Sequence, residues 1–204
     1  MYYGPAIILS TGIEIGGLAS DDPKVGIILN IPLAFMNAVG TAIAVLFIDK
    51  MGRRYIMLRT LPGTLVSLLI VSLSFYLTLF TSMNTLGNYM SLAGLVLYLA
   101  FFSIGMSSTV WSVNTEIYPI NLIGIATSLS TATNWGSNFI VSSLFLSIMH
   151  TDTGKVLAFL ILAVFTIWAF GFIYYRVPET KGRPITENIE QILGTQANIK
   201  NMIK

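Results

Sequence analysis

Apolar residues fill six long runs of this chain, roughly 1–19, 26–48, 56–80, 89–112, 122–149 and 156–176, with short polar connections between them. A helix needs about 20 apolar residues to cross a bilayer, and each run is near that length. The runs lack the strict alternation that a barrel wall requires. The pattern predicts an all-α membrane protein, with a six-helix transmembrane bundle over residues 1–176. Residues 177–204 are polar and read as a tail. Within it, Thr186 is positioned to cap a short amphipathic helix with Ile189, Ile192 and Leu193 on one face and Gly194 at its end.

Composition supports this reading. Of 204 residues, 54% are hydrophobic and only 10% are charged, against about 25% charged in ordinary soluble domains. A soluble fold of this size has too little interior to hide that much apolar surface. There is no cysteine, so disulfides and thiolate metal sites are excluded. The opening MYYGPAII lacks the basic region of a signal peptide, and the chain begins within an apolar run.

Charge sets the expected orientation. Lys24 and Lys155 lie in connections on one side. Lys50, Arg53, Arg54, Arg59, Arg176, Lys181, Arg183, Lys200 and Lys204 lie on the other. The positive-inside rule makes the richer side cytosolic, with both chain ends there. Thr81–Asn88 then forms an uncharged external connection.

Three of these cations fall within six residues, DKMGRR (Asp49–Arg54). Asp49, Glu116 and Glu179 lie at or just past the cytosolic C-terminal ends of even-numbered spans. A carboxylate there is unfavourable by about 0.3–1 kcal/mol, so cationic partners are expected, and Arg53 and Arg54 are at the right depth. The arrangement reads either as an ion-pair layer latching helix ends together or as ordinary positive-inside topology. Gly52 permits the tight turn between spans.

These residues resemble the sugar porter branch of the major facilitator superfamily. DKMGRR resembles its Asp/Glu-x-x-Gly-Arg-Arg loop, VNTEIYP (113–119) its Asn-Ser-Glu-Ile-Tyr-Pro signature, and VPETKG (177–182) its Pro-Glu-Thr-Lys-Gly motif. MYYGP resembles the end of its seventh helix and TATNWGSNFIVSSLFLS its eleventh. The resemblance covers the whole chain but only the second half of such a transporter, with the start of helix seven truncated. It implies alternating-access transport of a sugar or polyol, with a first six-helix half as partner. GMSSTVW and the eleventh-helix pattern are similar to proton-coupled hexose and inositol symporters.

Two departures stand out. Val110 occupies the position where a proline usually precedes the tryptophan, here Trp111, so the fourth span is expected to be straighter and its hinge stiffer. Ile123 stands where an arginine usually precedes the glycine, removing one cation from the latch.

Polyol binding calls for amides to meet hydroxyls and an aromatic face to meet C–H surfaces. Asn37 and Asn134 lie mid-span, where an unpartnered amide is costly and where transporter sites lie. Trp111 and Phe102 supply aromatic faces. The resemblance implies that Tyr2 and Tyr3 gate the outer side. Each has a structural alternative: the amides as glue between helices, Trp111 as an interfacial anchor, Phe102 as packing. The small residues from Gly124 to Ser137 read as close helix packing. Pro62-Gly63 reads as a kink, Arg59 as a snorkelling cation, and His150 and Glu14 as surface residues.

No nucleophile–base pair, metal cluster or mid-span acid is present, so enzyme activity, cofactors and nucleic-acid binding are not expected. Proton coupling would reside in the other half. The expected setting is a multi-pass protein of the plasma membrane, in contact with lipid. A half-length membrane subunit, or a non-transporting fragment, is the alternative to a transporter half.

Overall fold

The computed structural model describes residues 23–81 and 84–202, all organised around helices. The first expected span, with Tyr2, Tyr3 and Glu14, lies outside the described residues. Helix α1 spans Pro23–Met51 and α2 spans Arg53–Phe80. Next come α3 (Asn84–Phe102), a π-helical turn (Ser103–Ser107) and α4 (Thr109–Glu116). Helix α5 covers Ile123–Met149, α6 Asp152–Arg176 and α7 Ile185–Met202.

Among the described residues, four spans are long and apolar enough to cross a membrane: Asn30–Met51, Arg53–Leu79, Thr85–Glu116 and Asp152–Arg176. Helix α5 has the length, at 27 residues. Its Ser, Thr and Asn residues between Thr127 and Ser147 keep it out of that group.

The core forms where α1, α2, α3 and α6 meet. Leu33, Leu68, Val71, Phe75, Leu95, Leu99, Phe159 and Ala163 are buried there. Phe75 stacks on Phe159 at 5.6 Å, and Phe145 meets Phe159 edge-on at the same separation. A smaller cluster of Met57, Leu61, Val113 and Ile173 joins α2, α4 and α6 nearer the charged end. Lipid tails are as apolar as these side chains, so such contacts act through close packing and through hydrogen bonds. The hydroxyls in α2 largely serve their own helix: Thr60, Thr64, Ser67 and Ser74 donate to carbonyls three or four residues back. Ser72 instead crosses to the Val156 carbonyl of α6, at 3.1 Å.

The fourth span departs from expectation. Without a proline at position 110 a straighter span with a stiffer hinge was expected, yet a π turn, Ser103–Ser107, interrupts the α-helix and ends three residues before that position. The turn lies at a close crossing of three helices. A Cβ added to Gly105 would lie 1.7 Å from the Thr60 hydroxyl of α2, and one added to Gly40 of α1 would lie 1.9 Å from the Ser103 hydroxyl. Ser103 is fully buried and donates to Leu99 O at 2.5 Å. Close packing and serine back-bonding thus break the regular ladder where proline does not.

Two further expectations need correction. Thr186 lies inside α7 and does not cap it. The turn before the helix is closed by Glu187 and Asn188 N–H groups donating to Pro184 O. Gly194 does not end the helix, which continues to Met202. Helix α2 runs through Pro62.

Candidate functional site

Two polar regions emerge, a charged end and a seam along the helices. At the charged end, Arg53 holds Asp49 at 3.0 Å, one turn before it, and Glu116 at 2.9 Å, at the end of α4. This is the expected ion pairing. Arg53 is largely enclosed and Asp49 largely exposed, with 15% and 78% of their side-chain surfaces accessible. The Glu116 contact is therefore the better shielded of the two.

Glu179 behaves differently from expectation. It makes no ion pair with either arginine side chain among the described residues. It accepts instead from the backbone N–H groups of Arg53 (2.9 Å), Tyr55 (3.3 Å) and Lys181 (3.2 Å). Two of these are orphan donors of the first turn of α2, whose preceding residue Gly52 offers no side-chain cap. A carboxylate expected to burden the end of α6 thus stabilises the start of α2. Gly52 is required twice over. Its φ is 95°, and a Cβ would lie 2.7 Å from the Glu179 carboxylate.

Arg54 also departs from expectation, meeting no carboxylate among the described residues. It donates to Tyr174 O at 2.5 Å, in the last turn of α6, and lies over the Tyr174 ring at 5.7 Å. Arg53 reaches Ile48 O at 3.3 Å, and Lys181 donates to Lys50 O. Asn188 of α7 donates to Glu116 O at 3.3 Å. The C-terminal carbonyls of α1, α4 and α6 are therefore served by side chains from elsewhere in the fold. The concentration of cations in DKMGRR has two uses: two carboxylates to pair and two helix ends to cap. The second carboxylate oxygen of Glu116 is buried without a partner among the described residues.

The seam begins at Asn37 on α1, which is half-buried. One turn on, the Thr41 hydroxyl lies 3.5 Å from that of Ser107 in the π turn. Four residues beyond Ser107 is Trp111, 44% exposed. Asn114, one turn further along α4, accepts from Ser130 of α5 at 2.9 Å. Asn134 lies one turn past Ser130 and is exposed. Asn37, Trp111 and Asn134 thus occupy three helices whose neighbouring faces are tied by two cross-helix contacts. No hydrogen bond or ring contact joins those three directly among the described residues. Phe102 is 37% exposed and stacks on Tyr98 at 5.5 Å.

Of the linking residues, Thr41 was not singled out from the sequence, Ser107 and Asn114 stood only inside the motifs GMSSTVW and VNTEIYP, and Ser130 was read only as a small packing residue. Their positions at helical spacing from Asn37, Trp111 and Asn134 were the available signal.

A bundle of long apolar helices, carrying amides, hydroxyls and aromatic faces along one seam, defines a multi-pass membrane protein. The comparisons make this specific. Residues 1–192 match the family "Sugar (and other) transporter". Membrane transporter D1 of Leishmania donovani is 31% identical over 98% of this chain and 35% of its own length. Probable inositol transporter 2 of Arabidopsis thaliana is 28% identical over 95% of this chain and 45% of its own. Among solved structures, the proton:xylose symporter XylE bound to 6-bromo-6-deoxy-D-glucose superposes with a TM-score of 0.74. It shares 23% identity over 94% of this chain and 38% of its own. The chain belongs to the sugar (and other) transporter family. It spans about a third to under half the length of these relatives.

Proposed function

We propose that this chain is the second, six-helix half of a transporter that moves a hexose, inositol or related polyol across the plasma membrane by alternating access. The observation that carries the reading is the family match over residues 1–192. Asn37 and Asn134 would bind hydroxyl groups. Trp111 would cover a sugar face, and Phe102 would line the approach. Tyr2 and Tyr3 would gate the outer side. The Asp49–Arg53–Glu116 node, with Arg54 and Glu179 beside it, would lie at the cytosolic face and hold helix ends together when the inner side is closed. Both chain ends would be cytosolic. Relatives include proteins named D-xylose-proton symporter-like, which supports proton coupling through a carboxylate of the first half. No chemical step on the solute is proposed.

The test is uptake in a transport-deficient host. The chain joined to the first six helices of a sugar-transporter relative should give saturable uptake of labelled glucose, xylose or inositol, lost on Trp111→Ala. The chain alone should give none. Saturable uptake by the chain alone would instead establish a half-length subunit that assembles with itself. A correctly inserted joined protein with no uptake of any of the three would overturn the substrate class.

A further inference from the structure

Three clefts adjoin along the flank of α6 and touch the seam only at Asn114. The first, about 280 Å³, lies between α2, α4 and α6. Met57, Met106, Val110, Val113 and Phe172 line it, and Asn114 is its one amide. The second, about 290 Å³, shares Val113, Ile117, Phe172 and Val177 with the first and adds Arg176. The third, about 380 Å³, shares Arg176, Val177, Pro178 and Ile192 with the second and reaches Arg54 and Arg183. The result is one continuous channel, apolar at mid-helix depth and cationic at the charged end.

Its occupant must match both ends. The apolar part lies within the membrane-spanning helices and is flanked by Trp168 and Phe172, which are 69% and 50% exposed. With so few donors, it cannot bind a sugar. At the other end Arg176 has no hydrogen bond or ion pair among the described residues. Arg183 meets Glu187 only at 3.7 Å. The Arg54 Nε is buried without a partner among the described residues. Glu179 also lines this end, but its carboxylate is committed to backbone N–H groups. The arginines therefore present net positive charge to an incoming phosphate.

We propose that this channel binds one anionic glycerophospholipid, an acyl chain in the apolar cleft and the phosphate against Arg176 and Arg54. Helix α6 is then positioned by a lipid where α5 does not cover it. The inference does not depend on which solute is carried.

The experiment offers the purified chain equal amounts of phosphatidylglycerol and phosphatidylcholine with identical acyl chains. It counts retained lipid by native mass spectrometry after stepwise delipidation. Phosphatidylglycerol should be retained about tenfold over phosphatidylcholine, the scale of one charge-assisted contact. Arg176→Gln should erase that preference while leaving the helical circular dichroism unchanged. Ala169→Trp, which fills the apolar cleft, should lower retention of both lipids, and Val110→Phe should do the same from the facing wall. Soluble glycerol phosphate should not displace the lipid. Equal retention by the unaltered chain, an unchanged preference in folded Arg176→Gln, undiminished retention in both cleft-filling variants, or displacement by glycerol phosphate would each overturn the proposal.

Discussion

Helices α2 and α5 have almost the same length, 28 and 27 residues, and both mix large apolar residues with serine and threonine. Half of the apolar window of α2 is buried, whereas α5 has no buried residue. On α2 the hydroxyls are enclosed and the apolar face meets α3 and α6. On α5 Leu129, Phe139 and Leu144 are 69%, 74% and 58% exposed beside an exposed Asn134. Hydropathy separates protein from water but not the inside of a bundle from its surroundings. Burial is decided by which neighbours a helix has, and α5 has few among the described residues.

The sharpest break of that comparison is a matched pair of truncations. Phe75→Ala, which removes a ring stacked on Phe159, should destabilise the bundle by about 3 kcal/mol. Phe139→Ala on α5 should stay within about 0.5 kcal/mol. Unfolding in mixed detergent measures both, and equal losses would show that α5 is packed in solution.

A second pair adds one methyl group. Gly105→Ala places it against Thr60, and overpacking should cost about 2 kcal/mol. Among the described residues nothing lies within 4 Å of a Cβ on Gly136. Gly136→Ala should therefore be neutral or stabilising by about 0.5–1 kcal/mol. A destabilising Gly136→Ala would place a neighbour against α5.

The charged end offers a smaller effect at the joint where α5 begins. Arg53→Ala removes both pairs and should cost about 1 kcal/mol. In a complete transporter, 1.4 kcal/mol would already shift a two-state balance about tenfold. Ile123→Arg, at the first position of α5, should gain part of this by meeting the free oxygen of Glu116. Engineered cysteines, introduced into a chain that has none, report either change as altered labelling of the α4–α5 face. Unchanged labelling in both would reduce the charges to topological signals.

The smallest expected effect is at the link between α4 and α5. Ser130→Ala removes the bond to Asn114 and should cost about 0.6 kcal/mol, typical of interhelical hydrogen bonds in bilayers. Thermal unfolding should barely register it, while hydrogen exchange at the start of α5 should rise.

Much of this architecture was legible in the primary structure. The runs at 26–48 and 56–80 mark α1 and α2, because a span advertises itself by length and composition alone. Asp49, Arg53 and Glu116 could be paired because an i, i+4 spacing and a shared depth suffice. The role of Glu179 could not be read. It depends on the chain after α6 folding beneath the start of α2, a tertiary fact that depth along a helix does not contain. Arg54 was misassigned for a related reason: helix-end carbonyls compete with carboxylates for arginines, and carbonyls carry no sequence signature. The low burial of α5 was equally silent, since exposed and enclosed helices share one vocabulary in a membrane.

The π turn carries a consequence for aim. Each residue of an α-helix turns the chain by about 100°, so nine residues of unbroken helix would set Phe102 and Trp111 roughly half a turn apart. A π turn uses one residue more for the same rotation. It removes about 100° from that separation and leaves the two rings about a quarter-turn apart. Residue count and angular bearing are thereby uncoupled, as in a vernier. Removing one residue between Ser103 and Ser107 would return the turn to α geometry and keep that bearing, whereas rewinding it to α-helix with every residue kept would swing everything beyond it by about 100°, more than a quarter of a circle.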